Sequence, residues 1–247
     1  MKIKEKITKE KIIIVTGGTG QLGRVIVKRL ATAGHKIYVP SQSVDIFRRI
    51  FDNSQSEKKF SLSKIYSFQC DARKLESVRE FIESVSALEQ GRIDALINTI
   101  GGIHSPVFVS DSDDFIFDNM IDLNLRSVYN FSKEAVRIMK NHSFGRIISI
   151  SALASLKVFP ALYFYSMTKS AVNLLMNTIS EEMKDFNIKC NTIIPGIIDT
   201  PSNRKWGSAE DINKWVSPES IANIVQNLLS EEFDDVHSSE IKVLGKY

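Results

Sequence analysis

The stretch YFYSMTKSA, residues 163–171, places Tyr165 four residues before Lys169. In a helix, residues at this spacing lie on the same face, so an ammonium group would lie beside a phenol. A free phenol titrates at about pH 10, and a neighbouring positive charge lowers its pKa, which would suit it to proton transfer. A tyrosine and a lysine at this spacing also occur by chance on many helix surfaces. The rest of the chain must therefore decide whether the pair is chemical.

A second candidate site is the glycine-rich stretch VTGGTGQLG, which ends one apolar run and opens a helical pattern. Gly17, Gly20 and Gly23 are spaced so that one permits a tight turn and one lets a phosphate approach the backbone, while the third lets a helix pack against a sheet. The amides at the start of that helix then face a pyrophosphate. A glycine-rich turn can exist without a ligand, but a strand before it and a helix after it favour dinucleotide binding.

The end of the second apolar run indicates which dinucleotide binds. An acidic side chain at that position accepts hydrogen bonds from the ribose 2′-hydroxyl and disfavours a 2′-phosphate. The sequence reads VPSQSVD, with Ser41 and Gln42 near that position and the nearest acid, Asp45, several residues later. No arginine obviously grips a phosphate either. We therefore expect NADP in preference to NAD.

Apolar, β-branched runs that alternate with helical patterns predict the elements that position these motifs. The runs are 11–16, 36–40, 64–68, 93–98, 145–151, 188–194 and 240–244. Continuous apolar strands are typical of a parallel sheet covered on both faces. Strand–helix alternation predicts a doubly wound α/β fold of the Rossmann type, with about seven strands and helices on both faces. In such a fold, ligands bind beyond the carboxyl ends of the strands.

The length of 247 residues favours a single domain over the whole chain, 1–247, with one core. Residues 1–10 are interpreted as a short N-terminal extension and 52–63 as a surface loop. Residues 199–216 form a long irregular segment, which in a compact domain is usually functional or mobile. We interpret that segment as a substrate loop.

Composition and charge exclude several classes of protein. A net charge of +3 from 32 basic and 29 acidic residues disfavours a dedicated nucleic-acid or anionic-membrane surface. Cys70 and Cys190 lack metal-type spacing and read as reduced residues of a cytoplasmic protein, and the four histidines form no ligand pair. No stretch has the pattern of a signal peptide or the length of a membrane span. We therefore expect a cytoplasmic protein without a metal, nucleic-acid or membrane partner.

Taken together, the motifs resemble those of the short-chain dehydrogenase/reductases, in their simple single-domain branch. The matching features are TGGTGQLG, Asp71 in QCDAR, NTIG at 98–101, Asn124 in DLNLRSVYN, YSMTK at 165–169 and NTIIPGIIDT at 191–200. They cover nearly the whole chain, and each falls at a predicted strand end or helix start. The resemblance implies hydride transfer between a nicotinamide cofactor and a substrate.

The resemblance also implies roles for individual residues. Tyr165 would be the acid–base group, Lys169 would lower its pKa and hold the nicotinamide ribose, and Asn124 would support a water chain that reprotonates the site. Tyr163 would then be a bystander. The implied cofactor contacts are Thr16, Gly17, Gly20, Gln21, Leu22, Gly23, Ser41, Asp71, Ala72, Asn98, Gly101, Tyr165, Lys169, Pro195, Ile198 and Thr200.

The chain departs from the family pattern thirteen residues before Tyr165. The family usually has a serine there, whose hydroxyl polarises the substrate carbonyl, but this chain has Ala152. Ser151 is one residue early, and neighbouring strand residues point to opposite faces. Ser151 is therefore a candidate replacement only if the strand end twists or the following loop is one residue longer. Ser149 and Ser155 are interpreted as plain strand and turn residues.

A narrower resemblance links residues 199–222 to dihydropteridine reductases and the simple reductases near them. Those enzymes also lack the serine and keep the tyrosine–lysine pair, and a quinonoid pterin accepts hydride readily. They prefer NADH, however, and carry the acid after the second strand that this chain lacks. Trp206 and Trp215, in the same segment, are interpreted as loop anchors or as lining of the substrate pocket.

Two functions from different classes remain open. The leading interpretation is an NAD(P)H-dependent oxidoreductase that acts on a small carbonyl, imine or quinonoid substrate. The alternative is a dinucleotide-binding regulatory or scaffold protein that has lost turnover, which Ala152 favours and the retained pair disfavours. The resemblance further implies a homodimer or homotetramer formed through helices near 118–140 and 162–185. Apolar residues of these helices, which otherwise read as core, are Val128, Phe131, Val172 and Leu175.

Overall fold

A seven-stranded parallel sheet organises the protein in the computed structural model, which describes residues 9–51 and 64–246. The strands are β1 (Ile12–Thr16), β2 (Lys36–Ser41), β3 (Ile65–Gln69), β4 (Ala95–Asn98), β5 (Gly145–Ile150), β6 (Ile188–Pro195) and β7 (Ser239–Val243). Their order is β3-β2-β1-β4-β5-β6-β7, and every neighbouring pair is parallel. The predicted doubly wound α/β fold is confirmed. The loop expected at 52–63 and most of the N-terminal extension lie outside the described residues.

Helices connect the strands and cover both faces of the sheet. They are α1 (Gly23–Thr32), α2 (Val44–Phe51), α3 (Leu75–Leu88), α4 (Asp114–Met120), α5 (Ser127–Met139), α6 (Tyr163–Glu182), the short α7 (Ala209–Ile212) and α8 (Pro218–Leu228). A π-helical turn, Ile121–Arg126, joins α4 to α5. Wide turns of this kind are frequent at functional sites.

Two hydrophobic layers form because successive residues of a strand face opposite sides of the sheet. Ile13 and Val15 of β1 pack into the layer that includes apolar residues of α1, α2 and α8. Ile12 and Ile14 pack into the layer that includes residues of α3, α5 and α6. All five residues of β1 are buried, which explains why its sequence is continuously apolar rather than alternating.

The site-forming edge of the sheet is set by strand order. β1 pairs with β2 on one side and with β4 on the other. The first three strands therefore extend the sheet in one direction from β1, and the last four extend it in the opposite direction. The carboxyl ends of parallel strands meet at one edge, and ligands of such folds bind at the reversal. The connections that leave β1, β4, β5 and β6 all begin at this edge.

A membrane-spanning helix and a metal site each place requirements on the described residues. Among residues 9–51 and 64–246, no helix combines the length and apolar character needed to cross a bilayer. The same residues contain no group of three or more histidine, cysteine or acidic side chains placed to hold a metal ion. Cys70 and Cys190 are both buried and are not joined by a disulfide.

Candidate active site

The turn after β1 has the shape that a diphosphate requires. Gly17 has a φ of 66°, and a Cβ atom on it would lie 2.8 Å from the Thr99 hydroxyl oxygen. A Cβ atom on Gly23, the first residue of α1, would overlap the Gly17 carbonyl oxygen. Among the described residues, none accepts a hydrogen bond from the backbone amides of Gln21 or Leu22. Backbone amides at a helix start that have no acceptor among the described residues fit a phosphate group.

Thr99 ties this turn to the next strand. Its hydroxyl donates to the Thr16 carbonyl over 2.6 Å, and its amide donates to the Thr16 hydroxyl over 3.2 Å. These bonds join the carboxyl ends of β1 and β4 directly above the sheet. The sequence predicts no separate role for Thr99, although the residue lies within the NTIG motif.

The end of β2 carries no charge at the position that selects the cofactor. Ser41 is buried, and its hydroxyl donates to the Ser43 carbonyl over 2.8 Å. Gln42 is exposed. Asp45 lies in the first turn of α2, with its carboxylate 3.9 Å from the Arg48 guanidinium. The structure therefore leaves a neutral strand end, as the sequence predicts.

Asp71 follows β3 and is paired with a neighbour. Its carboxylate accepts hydrogen bonds from the Arg73 side chain and backbone, each over 3.1 Å. These bonds hold the pKa of Asp71 below its usual value. The next residue, Ala72, accepts a hydrogen bond through its carbonyl from the Asn130 amide over 3.0 Å.

Asn98 lies at the end of β4 with its side chain inside the protein. The side-chain amide donates to the Ser149 hydroxyl over 3.1 Å and to the Ser132 hydroxyl over 3.3 Å. Within the described part of the chain, no group donates to its buried Oδ1 atom. The side chain of Asn98 therefore points into the protein, and the expected contact between this residue and the cofactor ribose stays a prediction.

Lys169 and Tyr165 occupy one turn of α6 next to these strand ends. The Lys169 ammonium is buried and donates to the Ile150 carbonyl over 3.0 Å. A Cβ atom on Gly101 would lie only 2.9 Å from Lys169 Nζ, so the lysine reaches the loop after β4. The structure thus brings α6, β5 and the NTIG loop together.

Burial is the main cause of the pKa shifts of Tyr165 and Lys169. It raises the pKa of the Tyr165 phenol to about 12 and lowers the pKa of the Lys169 ammonium to about 8. Both shifts have the same cause, because a buried site disfavours whichever form is charged. The sequence predicts a lowered phenol pKa, but the surroundings of Tyr165 in this structure raise it.

Asn124 is buried in the π-helical turn and binds the loop after β4. Its Oδ1 accepts the Gly102 amide over 2.8 Å, and its Nδ2 donates to the Gly102 carbonyl over 3.0 Å. Nδ2 also donates to the Thr168 hydroxyl over 3.1 Å. The side chain of Asn124 therefore links the loop to α6.

The hydroxyl groups near Ala152 are all engaged elsewhere. Ser151 donates to the Lys169 carbonyl over 3.2 Å, on the helix backbone. Ser155 donates to the Ala152 carbonyl over 2.8 Å in a short 3₁₀ turn. Ser149 donates to the Met176 sulfur over 3.0 Å. Each hydroxyl has one hydrogen to donate, so none of the three is left to polarise a substrate in this arrangement.

The segment after β6 returns to the glycine turn. The Gln21 amide donates to the Ser202 hydroxyl over 2.9 Å, and the Ser202 amide donates back to Gln21 over 3.3 Å. Thr200 is buried, and its hydroxyl accepts the Asn203 amide over 3.3 Å. Pro195 ends β6, and Ile198 forms an isolated bridge with Val216. The 199–216 segment therefore contacts the predicted cofactor turn through the side chain of Gln21 and both the hydroxyl and the backbone amide of Ser202.

These observations define a dinucleotide-binding α/β fold with a polar site at the carboxyl edge of its sheet. A family model described as short chain dehydrogenase matches residues 11–211. The chain belongs to the short-chain dehydrogenase/reductase family and is an NAD(P)-dependent oxidoreductase.

Three comparisons illustrate the relationship. The chain is 29% identical over 250 residues to a 7α-hydroxysteroid dehydrogenase of Clostridium sardiniense, over 96% of this chain and 93% of that one. It is 30% identical over 188 residues to a tropinone reductase homolog of Arabidopsis thaliana, over 76% of this chain and 70% of the other. The structure of ElxO with NADP bound superposes with a TM-score of 0.87 at 25% identity, covering 96% and 98% of the two chains.

The neutral end of β2 yields a prediction about cofactor choice. NADPH should bind at least as tightly as NADH, and Ser41→Asp should shift the ratio of the two dissociation constants towards NADH by about tenfold, because the new carboxylate repels a 2′-phosphate. Fluorescence titration of both cofactors measures the ratio. Ser84→Asp, on the exposed side of α3, adds the same charge elsewhere and should leave the ratio unchanged. Unmodified protein that binds NADH about tenfold more tightly than NADPH would contradict the prediction.

Proposed function

We propose that the protein transfers a hydride between NAD(P) and a small carbonyl, imine or quinonoid substrate, with Tyr165 as the acid–base group. The observation that carries this proposal is the position of the Tyr165–Lys169 turn. It lies where β5 ends, with Lys169 held by the Ile150 carbonyl and close to Gly101. The phosphate-binding turn begins at the end of β1, on the same edge of the sheet.

When bound, the nicotinamide supplies the hydride to the substrate carbon. Tyr165 then gives its proton to the oxygen or nitrogen atom of the same double bond, so an alcohol or amine leaves and a phenolate remains. A phenol with a pKa of about 12 is fully protonated at neutral pH and can act as the donor. Lys169, with a pKa of about 8, is largely protonated at that pH and stabilises the phenolate. The reverse oxidation uses the same groups.

Apolar side chains around the same edge suit an apolar substrate. Ile103 follows β4, Val158 and Phe159 follow β5, and Trp206 follows β6, and all four are exposed. Small-molecule sites are commonly lined by such residues with a few polar groups that fix orientation. The names of the steroid dehydrogenase and the tropinone reductase homolog support a cyclic substrate of low polarity.

We propose that residues 199–216 close over the bound cofactor. The Gln21–Ser202 pair already joins this segment to the glycine turn. Beyond that pair, Trp206 is 63% exposed and packs on Trp215 with a centroid distance of 5.0 Å. The end of the segment is fixed to the body, because the Lys246 amide donates to the Lys214 carbonyl and Val216 is buried. A segment that is held at its base and reaches the glycine turn, with an exposed aromatic side chain, fits a substrate lid.

A groove between the π-helical turn, α5 and α6 supports a homodimer. Its volume is about 460 Å³, and its lining residues are Ile121, Leu125, Arg126, Tyr129, Ala171, Leu174, Leu175 and Thr178. Tyr129 and Leu174 are exposed, whereas Val128, Phe131 and Val172 are buried core residues. Of the four apolar residues noted in the sequence, Leu175 thus lines the groove. We propose that a second copy covers this face, as the family's tendency to oligomerise favours.

A dinucleotide-binding protein that has lost turnover, the alternative that Ala152 favours in the sequence, does not agree with the family, whose matched relatives include a hydroxysteroid dehydrogenase and a cyclopentanol dehydrogenase. The engaged hydroxyls of Ser151 and Ser155 therefore bear on the choice of substrate.

The role of Tyr165 can be tested by removing one hydroxyl. Tyr165→Phe should abolish turnover and leave the dissociation constant for NADPH nearly unchanged, because the ring stays and only the proton donor is lost. Tyr163→Phe, two residues earlier in α6, is the matched control and should stay active. Steady-state rates and cofactor titration of both variants measure the effect. An active Tyr165→Phe enzyme would exclude the proposed acid–base role.

The same assay separates substrate classes through Ala152. Loss of one oxyanion donor in other enzymes lowers the rate by about 10²–10³. Ala152→Ser should therefore raise turnover of an ordinary ketone, by less than that factor, and change turnover of an iminium or quinonoid substrate little. Ser151→Ala should have a small effect, because its hydroxyl is bound to the Lys169 carbonyl. A collapse on Ser151→Ala would show instead that Ser151 is the hydroxyl donor.

The proposed lid at residues 199–216 predicts that bound cofactor protects this segment from proteolysis. Limited trypsin digestion should cut near Arg204–Lys205 in the free protein, and NADPH should slow that cut. Lys184, an exposed residue before β6 at the opposite edge of the sheet, provides the control cut, whose rate should not change. Mass spectrometry of the fragments measures both rates. Equal rates at 204–205 with and without NADPH would mean that the segment is a rigid surface feature.

The groove predicts that a single charge weakens self-association. Leu174 is 69% exposed on α6, and Leu174→Arg should shift the sedimentation profile towards monomer, because the dimer would bury an unpaired charge. Leu88→Arg, at a residue that is 60% exposed at the end of α3, is the matched control. Unmodified protein that sediments as a monomer at micromolar concentration would contradict the proposed dimer.

A further inference from the structure

The hydroxyl of Thr168 lies between Tyr165 and Asn124. Thr168 is buried in α6, in the same turn as both members of the Tyr165–Lys169 pair. Its Oγ1 donates to the Tyr165 carbonyl over 2.9 Å and accepts from Asn124 Nδ2 over 3.1 Å. One hydroxyl therefore joins the turn that carries the tyrosine to the asparagine on the neighbouring π-helical turn.

The number of hydrogen atoms available to donate fixes the direction of each of these hydrogen bonds. A threonine hydroxyl has a single hydrogen, and the Tyr165 carbonyl can only accept, so the hydrogen of Thr168 is used there. The Thr168 oxygen must then accept from Asn124, which orients Nδ2 towards α6. Asn124 Oδ1 is thereby left to accept the Gly102 amide over 2.8 Å. A flipped Asn124 amide would place two acceptors against each other at Gly102.

The oriented amide of Asn124 in turn holds the loop after β4. It binds both the amide and the carbonyl of Gly102. The preceding residue, Gly101, approaches so closely that a Cβ atom on it would lie 2.9 Å from Lys169 Nζ and 3.1 Å from Asn124 Oδ1. The Asn124 amide that holds this loop beside the ammonium of Lys169 is thus the same amide that donates to Thr168.

We propose that Thr168 is a positioning residue for proton transfer, which acts by fixing the Asn124 amide and through it the Gly101–Gly102 loop beside Lys169. This inference rests on the proposed role of Tyr165 as the acid–base group. Thr168 itself need not touch the substrate. Removal of its hydroxyl leaves one N–H of the buried amide with only the weakly accepting Met120 sulfur, 3.6 Å from Nδ2, in its place. Small misplacements in an active site reduce rates strongly.

Thr168→Val, which keeps the shape and removes the hydroxyl, tests the proposal. We expect kcat to fall by roughly ten- to hundredfold, with the dissociation constant for NADPH unchanged, and we expect Thr168→Ser to restore most of the rate. Thr192→Val is the matched control. Thr192 is a fully buried threonine of β6, and no partner for its hydroxyl exists among the described residues. That variant should keep its kcat, and thermal melting of each variant reports folding separately.

A double-variant cycle shows whether Thr168 acts through Asn124. If it does, Thr168→Val combined with Asn124→Ala should be no slower than Asn124→Ala alone, because the bond is already absent. Losses of kcat that multiply in the double variant would overturn the proposal. A Thr168→Val enzyme with the same kcat as the Thr192→Val control would also overturn it. If Thr168→Val does not fold, Thr168→Ala takes its place in the cycle with the same expected result. The outcome for Tyr165→Phe tests the acid–base role independently, so the two can fail separately.

Discussion

The parallel register of the four central strands decides which residues reach the site. Thr16 lies opposite Asn98, Asn98 opposite Ser149, and Ser149 opposite Thr192. All four are polar and fully buried, and they form one row across the sheet. The residues that follow this row form the edge: Gly17 begins the phosphate turn, Thr99 ties β1 to β4, and the Ile150 carbonyl holds Lys169. A shift of one strand by one residue would turn every side chain to the other face and separate these groups.

Burial shifts the pKa values of Tyr165 and Lys169 in opposite directions for one reason. The phenol of Tyr165 and the ammonium of Lys169 are both moved towards their neutral forms, with pKa values of about 12 and about 8. At neutral pH both groups therefore remain largely protonated, although the ammonium of Lys169 is closer to its midpoint of ionisation than that of a free lysine. The ionisation of the two groups thus depends on packing and not on the identity of the two residues alone.

The sequence predicts those structural features that leave a short periodic pattern or a local motif in the chain. Each of the seven apolar runs overlaps a strand. β1, β4 and β5 are buried throughout, which leaves a composition signal, whereas β3 and β7 are only partly buried. The Tyr165–Lys169 spacing needs only one helical turn. The inward direction of Asn98 could also have been found, because Leu96 and Asn98 lie two residues apart and share a face of β4. Other features depend on contacts between distant segments and leave no such signal. The bond between Thr168 and Asn124 spans 44 residues, and the Gln21–Ser202 pair spans 181.

The hydroxyl groups around Ala152 limit the chemistry that the proposed site can perform. Ser149, Ser151 and Ser155 each give their one hydrogen to a sulfur atom or a backbone carbonyl. Of these three serines and Tyr165, only Tyr165 keeps a hydroxyl hydrogen that no described group accepts. With Tyr165 as the proposed donor, charge that develops on the substrate must be met by proton transfer itself or be spread within the substrate. Substrates with an electron-poor double bond place the smaller demand on that donor, so the arrangement of these serines supports an imine or quinonoid acceptor over a simple ketone.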